Sequence, residues 1–167
     1  LWTAIELKQR NPELQIVLID KELCGYGASG SNGGCLLTLS TKLPTMCRFF
    51  GESEALRLVK ASEQAVTDIQ AFCQAHQIDA DLRLDGALYM ASNRSQVGTM
   101  NPVIGALQKH GINSWSRLDL DHARRFGGTQ EMHEGFFSPV AGSVQPGLLV
   151  RGMARVARKL GIRIYEQ

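Results

Sequence analysis

Asp20 stands directly after the apolar run Ile16-Val17-Leu18-Ile19, and a glycine-rich stretch follows it: Gly25-Tyr26-Gly27-Ala28-Ser29-Gly30-Ser31-Asn32-Gly33-Gly34. A carboxylate at the carboxyl end of a parallel strand can accept hydrogen bonds from the ribose hydroxyls of a dinucleotide. The same residue in a turn would simply end a strand. Glycines let a backbone approach a ligand closely and aim its amides at anionic oxygens; a surface turn is the plainer reading. Two catalytic motifs fail here. A P-loop needs Lys after its second glycine, where this chain has Ser31, and a nucleophile elbow needs Gly where Gly27-Ala28-Ser29-Gly30 is followed by Ser31.

The other reactive side chains are scattered. His76, His110, His122 and His133 form no paired spacing, so no metal site is expected. Cys24, Cys35, Cys47 and Cys73 show no C-x-x-C pattern and read as reduced thiols of a cytoplasmic protein. Cys24 and Cys35 flank the glycine stretch, which admits a covalent link to a cofactor, although a small buried thiol is the simpler reading. Tyr89 and Arg83 could face a substrate or merely pack a sheet. No catalytic residue is identified.

These residues need elements to position them. Residues 1–10 have helical character and stop before Asn11-Pro12. The run 15–20 reads as a strand covered on both faces, as in a parallel sheet. Residues 52–77 carry apolar positions at helical spacing. The texture changes near Asp81: 82–91 reads as strand with a break at Asp85-Gly86, 95–110 as a helix weakened by Pro102, 118–125 as a short helix, and 135–137 as strand. Pro146 then opens a helix that Gly161 ends, and 162–165 is strand. The fold class is α/β with an inserted α+β segment, divided as 1–80, 81–142 and 143–167.

Composition narrows the function. The chain has 167 residues, 44% hydrophobic and 20% charged, with a net charge of +2. That is a globular balance, and it points away from nucleic-acid or membrane-surface partners. No apolar run approaches the roughly 20 residues that a bilayer span needs.

The strand Ile16–Asp20 and the loop Gly25–Gly34 together resemble the FAD-dependent oxidoreductases of the D-amino-acid oxidase and glycine oxidase family. The likeness is strongest to the γ-glutamylputrescine oxidase-like branch, whose loop reads G-x-G-A-S-G-R-N-G-G; Ser31 stands where Arg is usual. Gly86–Ala91 resembles the first strand of the family's substrate domain, and Gly135–Phe137 through Ser143–Pro146, with 148–165, resembles the return to the FAD domain. The resemblance implies a partial FAD-binding, Rossmann-like (GR2-type) domain over 1–80 and 143–167, with a substrate-domain segment at 81–142.

It also implies roles. Asp20 would hold the adenosine ribose and Lys21 would flank the adenosine. Ala28 and Ser29 would meet the pyrophosphate. Asn32, Gly33, Gly34 and Cys35 would run beside the ribityl chain and flavin ring. The implied chemistry is hydride transfer from an amine or amino acid to flavin, leaving an imine. The family's G-x-G-x-x-G turn lies about 20 residues before such an acidic residue, which places it ahead of Leu1. The chain is therefore expected to be an internal piece of a larger oxidase, inactive alone, binding FAD weakly and prone to self-association. An NAD-dependent dehydrogenase piece and a non-catalytic interaction domain are the alternatives.

Overall fold

A computed structural model describes all of residues 1–167. Seven α-helices and seven short strands are interspersed along the chain. The chain divides into two compact units. One comprises 1–35, 68–83 and 143–167; the other comprises 36–67 and 84–142. Ser143 begins the last piece of the first unit. Residues 36–67, however, group with 84–142 rather than with the N-terminal segment.

The first unit is built on a parallel strand pair, β1 (Val17–Asp20) and β7 (Arg163–Glu166), in the register Val17 to Arg163 through Asp20 to Glu166. Helix α1 (Trp2–Arg10) buries Ala4 and Ile5. Helix α7 (Pro146–Lys159) buries Val150, Ala154, Val156 and Ala157, a stripe at helical spacing. Its start is well specified: proline sits in the first turn, and the Gln145 side chain accepts from Leu148 N–H at 2.6 Å. A Cβ on Gly152 would lie 2.3 Å from Ile78 Cγ2, so only glycine allows this approach.

The expectation that β1 is covered on both faces is corrected. Val17 is exposed, and Ile19 is 83% exposed. The run of branched residues does form a strand, but β7 is its only partner in the sheet, and nothing in the chain covers Ile19.

The second unit carries a three-stranded sheet in the order β3-β5-β4. Here β3 is Ala87–Ala91, β4 is Ser116–Arg117 and β5 is Glu134–Ser138, paired antiparallel throughout. Its helices are α3 (Leu43–Phe50), the N-terminal part of α4 (Glu52–Ala75), α5 (Asn101–Lys109) and α6 (Leu120–Gly127). Leu43, Met46, Ala55, Val59, Leu107 and Ile112 form its core.

Three sequence expectations shift here. Residues 82–86 are not strand, apart from a single bridge from Arg83 to Ser143. Pro102 does not weaken a helix over 95–110 but occupies the first turn of one beginning at Asn101, where its missing N–H costs nothing. Helix α3 is absent from the sequence reading, although Pro44 marks its first turn in the same way.

Candidate functional site

The glycine stretch is not a simple turn. Leu23 O accepts from Tyr26 N–H, and the chain then winds one helical turn, α2 (Ala28–Ser31), capped by the extended backbone of Gly27. Two glycines make this winding possible. A Cβ on Gly30 would sit 2.0 Å from Gly25 O, and one on Gly34 would sit 2.0 Å from Val144 O, at a φ of +71° that disfavours any other residue. Around Gly27 and Gly33, by contrast, a Cβ would meet nothing within 4 Å.

Side chains then lock the loop. Asn32 Nδ2 donates to Ala28 O and Ser29 O, both at 3.0 Å, and Asn32 Oδ1 accepts from Gly34 N–H at 2.8 Å. Ser31 Oγ donates to Gly27 O at 3.0 Å and to Tyr26 O at 3.3 Å. Asn32 and Ser31 thus brace the loop with the polar atoms that a ligand would otherwise use. This bracing was not legible in the sequence, because all the partners are main-chain carbonyls or N–H groups, which every residue here carries.

Asp20 ends β1, and its Oδ1 accepts from Glu22 N–H at 3.0 Å. Asp20 and Ser29 line one cleft of about 390 Å³, together with Trp2, Cys24, Gly25 and Met153. A second cleft, of about 530 Å³, shares Cys24 and Gly25 and is lined by Tyr26, Ser31, Gln145 and Arg151. Lys21, Ala28, Asn32, Gly33 and Cys35 are exposed, and Gly34 is buried. The structure therefore brings Asp20 and Ser29 to one concavity. Lys21 follows Asp20 along the chain, while Asn32 and Gly34 are committed to the loop.

Neither cysteine beside the loop is a fully buried thiol. Cys35 is exposed and Cys24 half-buried. Burial, first, and then a hydrogen bond to Glu166 and the charge of that carboxylate raise the Cys24 thiol pKa above the ordinary value. Glu166 is held below the usual carboxylate range, mainly by the Cys24 N–H it accepts at 2.7 Å, with Arg158 at 2.6 Å adding to the effect. Glu166 was not singled out by the sequence. It ties the turn after β1 to the end of β7, and only the strand pairing brings it near. No group of three or more His, Cys, Asp or Glu lies together as a metal site.

The donor set fits a dinucleotide cofactor. A carboxylate suited to hydroxyls and a serine hydroxyl share one cleft, beside a glycine backbone that is open at Gly27. Comparison with known proteins bears on which cofactor. A family model described as "DAO: FAD dependent oxidoreductase" matches residues 1–167. Gamma-glutamylputrescine oxidoreductase of Escherichia coli is 27% identical over 167 residues, covering 99% of this chain and 38% of that protein. A probable oxidoreductase OrdL of Rhizobium meliloti is 29% identical over 153 residues, covering 90% and 36%. Among solved structures, glycine oxidase from Geobacillus kaustophilus matches with a TM-score of 0.77 at 20% identity, over 98% of this chain and 42% of that one. L-amino acid deaminase from Proteus vulgaris matches at 0.76 and 21%, over 98% and 40%. At these identities the structures establish the fold alone: this mixed α/β chain shares the fold of part of those proteins. The chain spans about two-fifths of the length of each relative. No helix is long and apolar enough to cross a membrane.

Proposed function

Because the chain belongs to this family of FAD-dependent oxidoreductases, we propose that its first unit holds FAD and serves the oxidation of an amine or amino acid. The observation that carries the reading is the shared cleft of Asp20 and Ser29 at the glycine loop. Asp20 accepts from ribose hydroxyls through the carboxylate oxygen not engaged by Glu22. Lys21 lies against the adenosine. The Ala28 and Ser29 amides and the Ser29 hydroxyl donate to the pyrophosphate oxygens. Gly33, Gly34 and Cys35 run beside the ribityl chain and flavin ring, with Asn32 holding their path. The flavin, when bound, accepts a hydride from the carbon that bears the amine, leaving an imine that water hydrolyses. The protein contributes position and field, and no side chain is assigned as a catalytic base. Residues 81–142 stand as a segment of the substrate domain, with 1–80 and 143–167 as the cofactor domain.

The family and the relatives' names support this reading; the substrate itself stays at the level of a small amine or amino acid. Four free cysteines support a reducing, cytoplasmic setting. The expectations that these 167 residues alone turn over no substrate, retain FAD weakly and self-associate belong to the same proposal. The test is spectroscopic. Purified from its native source, the protein should be yellow, with flavin bound and bleached by its amine substrate. A colourless preparation that retains no flavin after incubation with FAD and removal of the unbound cofactor would overturn the reading.

A further inference from the structure

From Gly135 to Tyr165 the chain carries no Asp or Glu but five cations: Arg151, Arg155, Arg158, Lys159 and Arg163. Four of the five lie on α7, which has no acidic residue at all. The longest helix, α4, mixes both signs, and its Arg57 pairs with Glu54. On α7 only Arg158 is matched, by Glu166 at 2.6 Å.

Helix geometry sorts the other three. Arg151, Arg155 and Lys159 recur every fourth residue, so they share one face, spaced about 6 Å apart along the axis. All three are exposed and none makes an ion pair. The helix dipole favours a cation at Lys159, in the last turn, but not at Arg151 or Arg155. Like charges four residues apart repel and weaken a helix. The row thus carries a cost that no acid in the chain offsets.

At the N-terminal end of the row lies the cleft of about 530 Å³. Arg151 lines it together with Leu23, Tyr26 and Leu148, three large side chains that are themselves exposed. A tyrosine and an arginine beside a concavity are residue types that anchor protein interfaces. We propose that this face of α7 docks an acidic helix of a partner protein. The partner's carboxylates, also four residues apart, meet Arg151, Arg155 and Lys159, and one of its apolar side chains enters the cleft at Tyr26 and Leu148. A second helix repeats its face at the same spacing. A nucleic acid brings no apolar side chain to the cleft, and three cations in a single row fall short of the cluster of about four to eight that recruits an anionic membrane. The site uses no residue assigned to FAD.

The test is a titration of the full-length protein with two labelled, alanine-based helical peptides of identical composition, read by fluorescence anisotropy. One carries Glu at every fourth position with Leu one turn before the first Glu; the other spreads the same residues around the helix. The ordered peptide should bind saturably, at least about fivefold more tightly than its isomer. Arg155→Glu should abolish that preference, and Tyr26→Ala should weaken the ordered peptide. Arg125→Glu, the same change of charge in the second unit, should alter neither titration. These side chains are exposed, and unaltered circular dichroism of the variants shows that the fold is retained. The comparison of the two peptides needs no variant. Equal binding of the isomers, indifference to Arg155→Glu, or an equal loss with Arg125→Glu would each overturn the proposal. So would tight binding of phosphatidylserine vesicles or duplex DNA that Arg155→Glu removes, which would make the face a general polyanion surface. A smaller sedimentation coefficient of the Arg155→Glu protein by itself would give the face to a second copy and overturn the proposal too. Loss of flavin binding bears on none of these outcomes, so the two readings fail separately.

Discussion

Strands β1 and β5 invert what their sequences suggest. Val17-Leu18-Ile19-Asp20 is the more apolar run, yet three of its four residues are exposed. Glu134-Gly135-Phe136-Phe137-Ser138 begins with a carboxylate and ends with a hydroxyl, yet four of its five residues are buried. The difference lies in their neighbours. Strand β5 is central, hydrogen-bonded on both sides, with α6 over it: a Cβ on Gly135 would lie 2.7 Å from Ala123 Cβ. Strand β1 has β7 on one side only. Burial is a property of what a strand is packed against, and composition reports only what the strand could tolerate.

The contrast can be broken from the β5 side first. Glu134, 3% exposed in its side chain, pairs with Arg117 and accepts from Gly98 N–H at 2.9 Å. Glu134→Ala leaves that N–H without its partner and frees the guanidinium that lies over the Phe136 ring. Urea denaturation should show a loss of about 2–3 kcal/mol. Glu134→Gln, which can still accept from Gly98, should cost less. Next in size, Gly34→Ala forces a clash with Val144 O at a left-handed φ. It should cost about 2 kcal/mol in the same assay and weaken FAD retention together with the loop. Asp20→Ala should lower FAD affinity about tenfold, the worth of a hydrogen bond to a charged group, while leaving the denaturation midpoint unmoved, because Asp20 is exposed.

On the β1 side the expected effects on stability are small. Ile19→Lys should change stability by less than about 0.5 kcal/mol, since the side chain is 83% exposed. The same variant should reduce self-association in sedimentation velocity, because exposed apolar strand faces are what neighbouring copies bind. An unchanged sedimentation profile would place any association elsewhere. The weakest effect concerns pH. Glu166 has a depressed pKa in the fold, so its clamp on the turn after β1 is in force above the unfolded carboxylate value of about 4.3 and is lost as pH falls through the lower folded value. A raised Cys24 pKa means less thiolate at a given pH. Cys24 should therefore alkylate more slowly than exposed Cys35 near pH 8, and Glu166→Gln should narrow the gap.

Much of this was legible in the residues. Helices α1, α4 and α7 follow from periodicity, and Asn11-Pro12, Pro146 and Gly161 mark their ends. Asp20 and the glycine loop pointed to a dinucleotide, and Asp20 and Ser29 line one cleft. What was not legible depends on distance in sequence. The exposure of β1 depends on which strands flank it, and the Cys24–Glu166 contact depends on β1–β7 register. Helix α3 does carry its own signals: Pro44 in its first turn, and Leu43 and Met46 three residues apart on one buried face. The partners of Asn32 are backbone atoms, which no pattern of side chains announces.

The pairing of β1 with β7 joins two segments that lie far apart in sequence, Val17–Asp20 and Arg163–Glu166. During synthesis, Val17 leaves the ribosome long before Arg163 exists, and the second unit can close on itself before β1 meets β7. Parallel pairing at such separation raises contact order and slows folding. The first unit should therefore form last, from three pieces separated by segments already folded. Until then Val17, Leu18 and Ile19 offer the edge that β7 later covers to chaperones or to other nascent copies. A nascent chain that has emerged as far as Gly142, with β7 still inside the ribosome, should hold a protected second unit beside an N-terminal segment that proteases still cut.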